Sequence, residues 1–167
     1  YEEQVKLSRK VLKGDYEIKI NPRKLGDINH YHTINLGFYL KNKLFGRKSV
    51  SVGYVHFLPE TIDESIQMPK FARKIFYWYI LKFYKSMDYL VVVNPYFIEL
   101  MKKYGIDTSS TVYIPNLVSN DKFEKKTEDE KLALRKKMGL EDKFVVLGVG
   151  QLQVRKGIFD FVKLAER

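Results

Sequence analysis

Four short runs rich in β-branched residues recur along the chain, each separated from the next by a stretch of helical periodicity. They are Ser49-Val50-Ser51-Val52-Gly53-Tyr54-Val55, Tyr89-Leu90-Val91-Val92-Val93, Thr111-Val112-Tyr113-Ile114 and Phe144-Val145-Val146-Leu147-Gly148-Val149. Strands that alternate with helices build βαβ units, and these imply a parallel sheet in an α/β fold. Helical patterns fall at 2–13, 36–44, 69–87, 96–104, 127–138 and 158–167, and two shorter strands are expected at 17–20 and 27–32. Pro95 suits a helix start, and Gly105 and Gly139 suit helix ends.

The strand ends carry the chemistry. The first run leads into His56-Phe57-Leu58-Pro59-Glu60, the second into Asn94-Pro95 and the third into Pro115-Asn116. In an open α/β sheet, ligands sit in the crevice beyond the carboxyl ends of the strands. His56, Asn94 and Asn116 are therefore expected as a group. The fourth run continues as Gly148-Val149-Gly150-Gln151-Leu152-Gln153-Val154-Arg155-Lys156-Gly157 and then a helix. A strand, a glycine turn with adjacent cations and a helix start aim backbone N–H groups and positive charge at one spot, which suits a diphosphate. A plain strand-to-helix turn with solvated basic residues remains open, because the glycines form neither G-x-G-x-x-G nor a P-loop.

The bulk properties narrow the class. Of 167 residues, 45% are hydrophobic and 14% aromatic, enough for a real core. With no cysteine there is no disulfide framework and no thiolate nucleophile. No apolar stretch is long enough to span a bilayer, and Tyr1-Glu2-Glu3-Gln4 does not begin a signal peptide. Lys and Arg number 30 against 20 Asp and Glu, and the excess lies mostly in residues 1–84, with 15 basic and 8 acidic side chains. Such a field favours anionic partners. The charged segment 120–143 marks a boundary. Residues 1–142 read as one domain, opening on a helix and lacking the strand that would normally come first. Residues 143–167 read as the start of a second.

Residues 69–87 hold five cations, no acid and seven aromatics, and 75–81 are apolar or aromatic throughout. One core-facing stripe needs only three or four apolar positions per two turns, so apolar side chains are left over. Either this helix is buried all round, or its second face meets another apolar phase. Lys70, Arg73, Lys74, Lys82 and Lys85, with Trp78, compose an interfacial helix on an anionic membrane. The contiguous apolar run is unsuited to a solvated nucleic-acid face. His30 and His32, at i and i+2 on a strand, face one side. No carboxylate at ligand spacing supports a metal site with His56, and no G-x-S-x-G supports a serine hydrolase.

Taken in order, Gly53 to Glu60, Val93-Asn94-Pro95-Tyr96-Phe97, Tyr113-Ile114-Pro115-Asn116, and Gly148 to Gly157 resemble the successive landmarks of family 4 retaining glycosyltransferases of the GT-B fold. Within that family the likeness is to the bacterial diacylglycerol glucosyltransferases, and it covers essentially the whole chain. The resemblance implies a Rossmann-like parallel sheet with flanking helices, incomplete, followed by the start of a second Rossmann-like domain. It implies His56 at the transferred sugar, with His30, His32, Glu60, Asn94 and Asn116 lining the acceptor side of the cleft. Gly150, Gln151, Arg155 and Lys156 would hold the donor diphosphate. The donor would be a UDP-sugar, most simply UDP-glucose, and the acceptor a membrane lipid such as diacylglycerol. No metal or other cofactor is implied, consistent with the lack of a D-x-D motif. The expected location is the cytoplasmic face of the cell membrane, held peripherally by the helix at 69–87.

Two positions depart from the family pattern. Gln151 stands where many members have arginine, which shifts weight onto Arg155, and Leu117 follows Asn116 where the family has glycine. The donor-gripping E-x7-E segment does not occur in this sequence, so the chain reads as a fragment not expected to turn over alone. The alternative is a non-catalytic peripheral membrane module in which the basic aromatic helix is the function.

Overall fold

A computed structural model of the chain describes residues 2–62, 68–118, 123–150, 152 and 154–165. It consists of two compact units, residues 1–118 and 119–167.

The first unit runs α1 (Glu2–Val11), β1 (Ile28–Tyr31), α2 (Leu36–Phe45), β2 (Val50–Val55), α3 (Pro59–Ile62), α4 (Lys70–Tyr84), β3 (Tyr89–Val92), α5 (Tyr96–Lys103) and β4 (Thr111–Tyr113). The four strands form one parallel sheet in the order β1-β2-β3-β4, with Tyr31 opposite Gly53, Val55 opposite Val92 and Val92 opposite Tyr113. The expected α/β class and parallel sheet are present. Every crossover steps the same way along the sheet, so right-handed connections place α2, α4 and α5 on one face.

That face is the core. Side chains alternate across a strand, so Tyr31, Val55, Leu90 and Val92 point together. They pack with Tyr39 of α2, Ile80, Phe83 and Tyr84 of α4, and Phe97, Leu100 and Met101 of α5. Gly53 lies within this packing because a Cβ there would come within 2.8 Å of the Met87 side chain and 3.1 Å of Leu90. At the start of β2, Ser51 donates its hydroxyl to Asp88 Oδ2 at 2.6 Å and accepts from the Asp88 N–H at 3.1 Å. This closes the turn between α4 and β3 onto the strand. Local signals set the helix limits. The Asn35 side chain accepts from the Gly37 N–H at 2.8 Å at the start of α2, and Gly105 takes φ +63 to end the run of α5.

The second unit contains α6 (Glu128–Lys137) and α7 (Ile158–Ala165). Thr127 and Glu130 form a reciprocal capping box at the start of α6, and Gly139, at φ +66, follows its end. Two expected strands are not formed. Among the described residues, 17–20 have no ladder partner, and 144–149 run without strand pairing although their composition suits a strand. Strand propensity records fitness for a pleated, half-buried surface, and a strand exists only when a neighbour supplies the ladder. Gly148 nevertheless packs closely on the Phe161 ring of α7, where a Cβ would approach to 3.1 Å.

Candidate functional site

The carboxyl ends of β1 and β2 bring four rings together on the sheet face opposite the core. His32 stacks on Tyr54 with centroids 3.9 Å apart, His30 lies 5.8 Å from Tyr54, and His56 lies 6.1 Å from Tyr54 and 6.0 Å from His32. The parallel register produces this arrangement. His30 sits opposite Val52, so the next residue on the same face of β1, His32, falls beside Tyr54. Gln4 of α1 donates to the Tyr54 hydroxyl at 3.0 Å from above the same face.

This row of rings sets its own protonation. Burial, with His56 and His30 adding to it, lowers the His32 imidazole to about 4. His30 and His56 are also lowered by burial, and burial raises the Tyr54 phenol. At neutral pH the three imidazoles are uncharged, so each ring offers one N–H donor and one nitrogen acceptor. His56, at the exposed end of the row, can address a sugar hydroxyl from either side of that pairing. Its strand end is held from the core, where the buried Tyr84 hydroxyl donates to the Phe57 carbonyl at 3.3 Å.

The other expected cleft residues share this edge of the sheet but have different local tasks. Glu60 opens α3 and forms an ion pair with Lys103, the last residue of α5, whose ammonium pKa is raised by that contact. Asn94 follows β3 and uses its side-chain oxygen to accept from the Tyr96 N–H at 3.0 Å, shaping the turn into α5. Asn116 follows β4 and is exposed. The sequence reading did not include Tyr54, Gln4 or Lys103. Tyr54 carried a usable signal, since it precedes His56 by two residues on one strand and must share its face. Gln4 and Lys103 are joined to the site only by tertiary packing.

The presumed diphosphate loop belongs to the second unit. Gly150 is open to solvent, Lys156 is exposed within a 3-10 turn at Val154–Lys156, and Gly157 at φ +70 leads into α7. Gln151 and the Arg155 side chain lie outside the described residues. Asp160 already places a carboxylate in the first turn of α7.

Among the described residues α4 is not buried all round. Ile80, Phe83 and Tyr84 are buried, whereas Phe71, Ile75 and Trp78 are exposed, so the helix has an uncovered apolar face. Lys70, Lys74, Lys82 and Lys85 are exposed and Arg73 is partly buried. Lys82 Nζ stands 4.3 Å from the centre of the Trp78 ring, a cation–π contact. No helix among the described residues is long and apolar enough to cross a membrane.

The chain is 41% identical over 167 residues to the alpha-galactosylglucosyldiacylglycerol synthase of Streptococcus pneumoniae (strain ATCC BAA-255 / R6), a match covering 99% of this chain and 45% of that protein. This chain is a homologue of glycolipid glycosyltransferases. The homologue is also 28% identical over 150 residues to the processive diacylglycerol alpha-glucosyltransferase of Acholeplasma laidlawii, covering 89% of this chain and 44% of that enzyme. It thus spans a little under half the length of both curated relatives. No protein-family profile matches it.

Proposed function

We propose that the protein transfers a hexose from a UDP-sugar to a diacylglycerol-based lipid, with retention at the anomeric carbon, as a metal-independent family 4 enzyme of GT-B architecture. Its place is the cytoplasmic face of the cell membrane, held peripherally by α4. The likeness running along 99% of the chain to a diacylglycerol glycolipid synthase carries this reading. The histidine row at the carboxyl end of the sheet supports it physically.

In this mechanism the anomeric C–O bond to the diphosphate breaks and the electron pair leaves with UDP. The acceptor hydroxyl forms the new C–O bond on the same face, and its proton passes to the departing phosphate oxygen. Neutral His56 holds a hydroxyl of the transferred sugar, while Glu60, Asn94 and Asn116 border the acceptor, with His30 and His32 behind. Arg155 and Lys156, with the backbone near Gly150 and Gln151, offset the charge developing on the diphosphate. Protein cations fill the role a metal has elsewhere, in keeping with the absence of D-x-D from the sequence.

The sugar was expected to be glucose. The more similar relative is named for a product carrying both galactose and glucose, so UDP-galactose with glucosyldiacylglycerol enters the test beside UDP-glucose with diacylglycerol. The full-length protein is incubated with each radiolabelled donor and with anionic vesicles containing each acceptor. Label should enter the lipid phase in one pairing and fall at least about a hundredfold on His56→Ala, the size of loss seen when one polar transition-state contact is removed. Firm vesicle binding with no transfer from any donor would instead favour the non-catalytic membrane module.

A further inference from the structure

We infer that α2 is a second membrane-contacting helix, and that its leucine ridge enters the same bilayer surface as α4. The inference rests on the membrane docking by α4 proposed above.

Leu36, Leu40 and Leu44 repeat every four residues and so form one row along α2. They are 56%, 47% and 69% exposed. Neighbouring turns of a helix stack residues spaced in this way into a continuous ridge. The opposite side of α2 is already occupied, since Tyr39 is buried against Tyr79 and Phe83 of α4 with ring centroids 6.0 and 6.4 Å apart. The Tyr79 hydroxyl also donates to the Ile34 carbonyl at 2.8 Å, tying the start of α2 to α4. The two helices therefore lie side by side on one face of the sheet. Each buries one stripe against that sheet, so their outer stripes point the same way. The inference joins Leu36, Leu40 and Leu44 to Phe71, Ile75 and Trp78 in one membrane-facing surface.

Charge identifies the occupant. No acidic residue occurs between Asp27 and Glu60, whereas Lys41, Lys43, Arg47 and Lys48 lie on or just after α2. Lys43, Arg47 and Lys48 are exposed. An apolar ridge whose own segment carries cations and no acid matches an anionic lipid surface, where acyl chains receive the leucines and headgroups receive the ammonium and guanidinium groups. A protein partner would need a dense acidic rim around an apolar groove. The bilayer supplies both features, and α4 already presents the matching composition beside it.

The test places a polarity-sensitive fluorophore at Leu40→Cys, and separately at Trp78→Cys, in otherwise cysteine-free full-length protein. Each is mixed with vesicles of equimolar phosphatidylglycerol and phosphatidylcholine. A blue shift at both positions is expected. The triple variant Leu36→Ser, Leu40→Ser, Leu44→Ser should bind about tenfold more weakly or less, with an unchanged circular dichroism spectrum, because the substituted side chains are exposed. A shift at position 78 alone, with full binding by the triple variant, overturns this inference and leaves docking by α4 intact. No shift at either position overturns both. A label at position 40 that is already blue-shifted before vesicles are added, and does not change afterwards, means another part of the chain or a second copy covers the ridge. That result also overturns the inference.

Discussion

His32 is flanked by Tyr54 on one side and the other two histidines nearby, and its protonation is the most perturbed of the three. A base whose folded pKa is lowered binds fewer protons than the unfolded chain once the pH drops below its ordinary value. Stability is therefore fully present above about pH 6.5 and declines as the pH falls toward 4, below which the loss is complete. A fully buried ring shifted this far would correspond to about 3 kcal/mol, and solvent access to the half-buried ring reduces the expected loss to about 1 kcal/mol. Urea unfolding at a series of pH values should show this decline, and His32→Asn should reduce it, leaving the shares of His30 and His56. If the variant keeps the full slope, the loss arises elsewhere. The sequence showed that His30 and His32 share a face, and it placed His56 at a strand end. It did not show that they meet, because that depends on the β1–β2 register, which no local pattern encodes.

Among the elements, β2 depends most on a polar clasp at its start. Ser51 is 2% exposed and exchanges hydrogen bonds with Asp88 in both directions. Ser51→Ala removes both side-chain bonds and leaves a carboxylate oxygen with one fewer donor, at an expected cost of about 1–3 kcal/mol. A fall in thermal midpoint of several degrees, with the far-ultraviolet spectrum unchanged, would confirm the role. An unchanged midpoint would mean that the backbone bonds alone hold the turn. Helices were legible to within a few residues because proline, glycine and periodicity mark their limits locally. The strands β2 to β4 were legible for the same reason, as runs rich in β-branched residues between turn signals, and β1, Ile28-Asn29-His30-Tyr31, fell within the shorter strand expected at 27–32. The apolar run at 144–149 met every local criterion too, but pairing is a property of two segments, and among the described residues no second one supplies the ladder.

For the molecule as a whole, a formal charge of +10 and exposed leucines, aromatics and lysines would give the proposed vesicle binding two separable components. The electrostatic part acts over about 10 Å at 0.1 M salt and about 3 Å at 1 M. Flotation with anionic vesicles should weaken severalfold across that range without vanishing, and neutral vesicles should bind weakly throughout. Complete insensitivity to salt would remove the cations of α2 and α4 from the account. The layered α/β plan was visible in the sequence from the alternation of strands and helices. Its handling of the two faces was not, since the same alternation serves sheets covered on one face or both.

Strand order has a consequence for how such a molecule is made. Each strand pairs with the one synthesised immediately before it, β2 on β1, β3 on β2 and β4 on β3. As these four strands leave the ribosome, none of them has to wait for a distant partner among the four, and none has to be inserted between two already joined. Loop-closure entropy is met in modest instalments, and each new βαβ unit docks onto a finished template. Among these four strands the longest wait falls between β2 and β3, while α4 is being synthesised, and it ends when Tyr89–Val92 emerge.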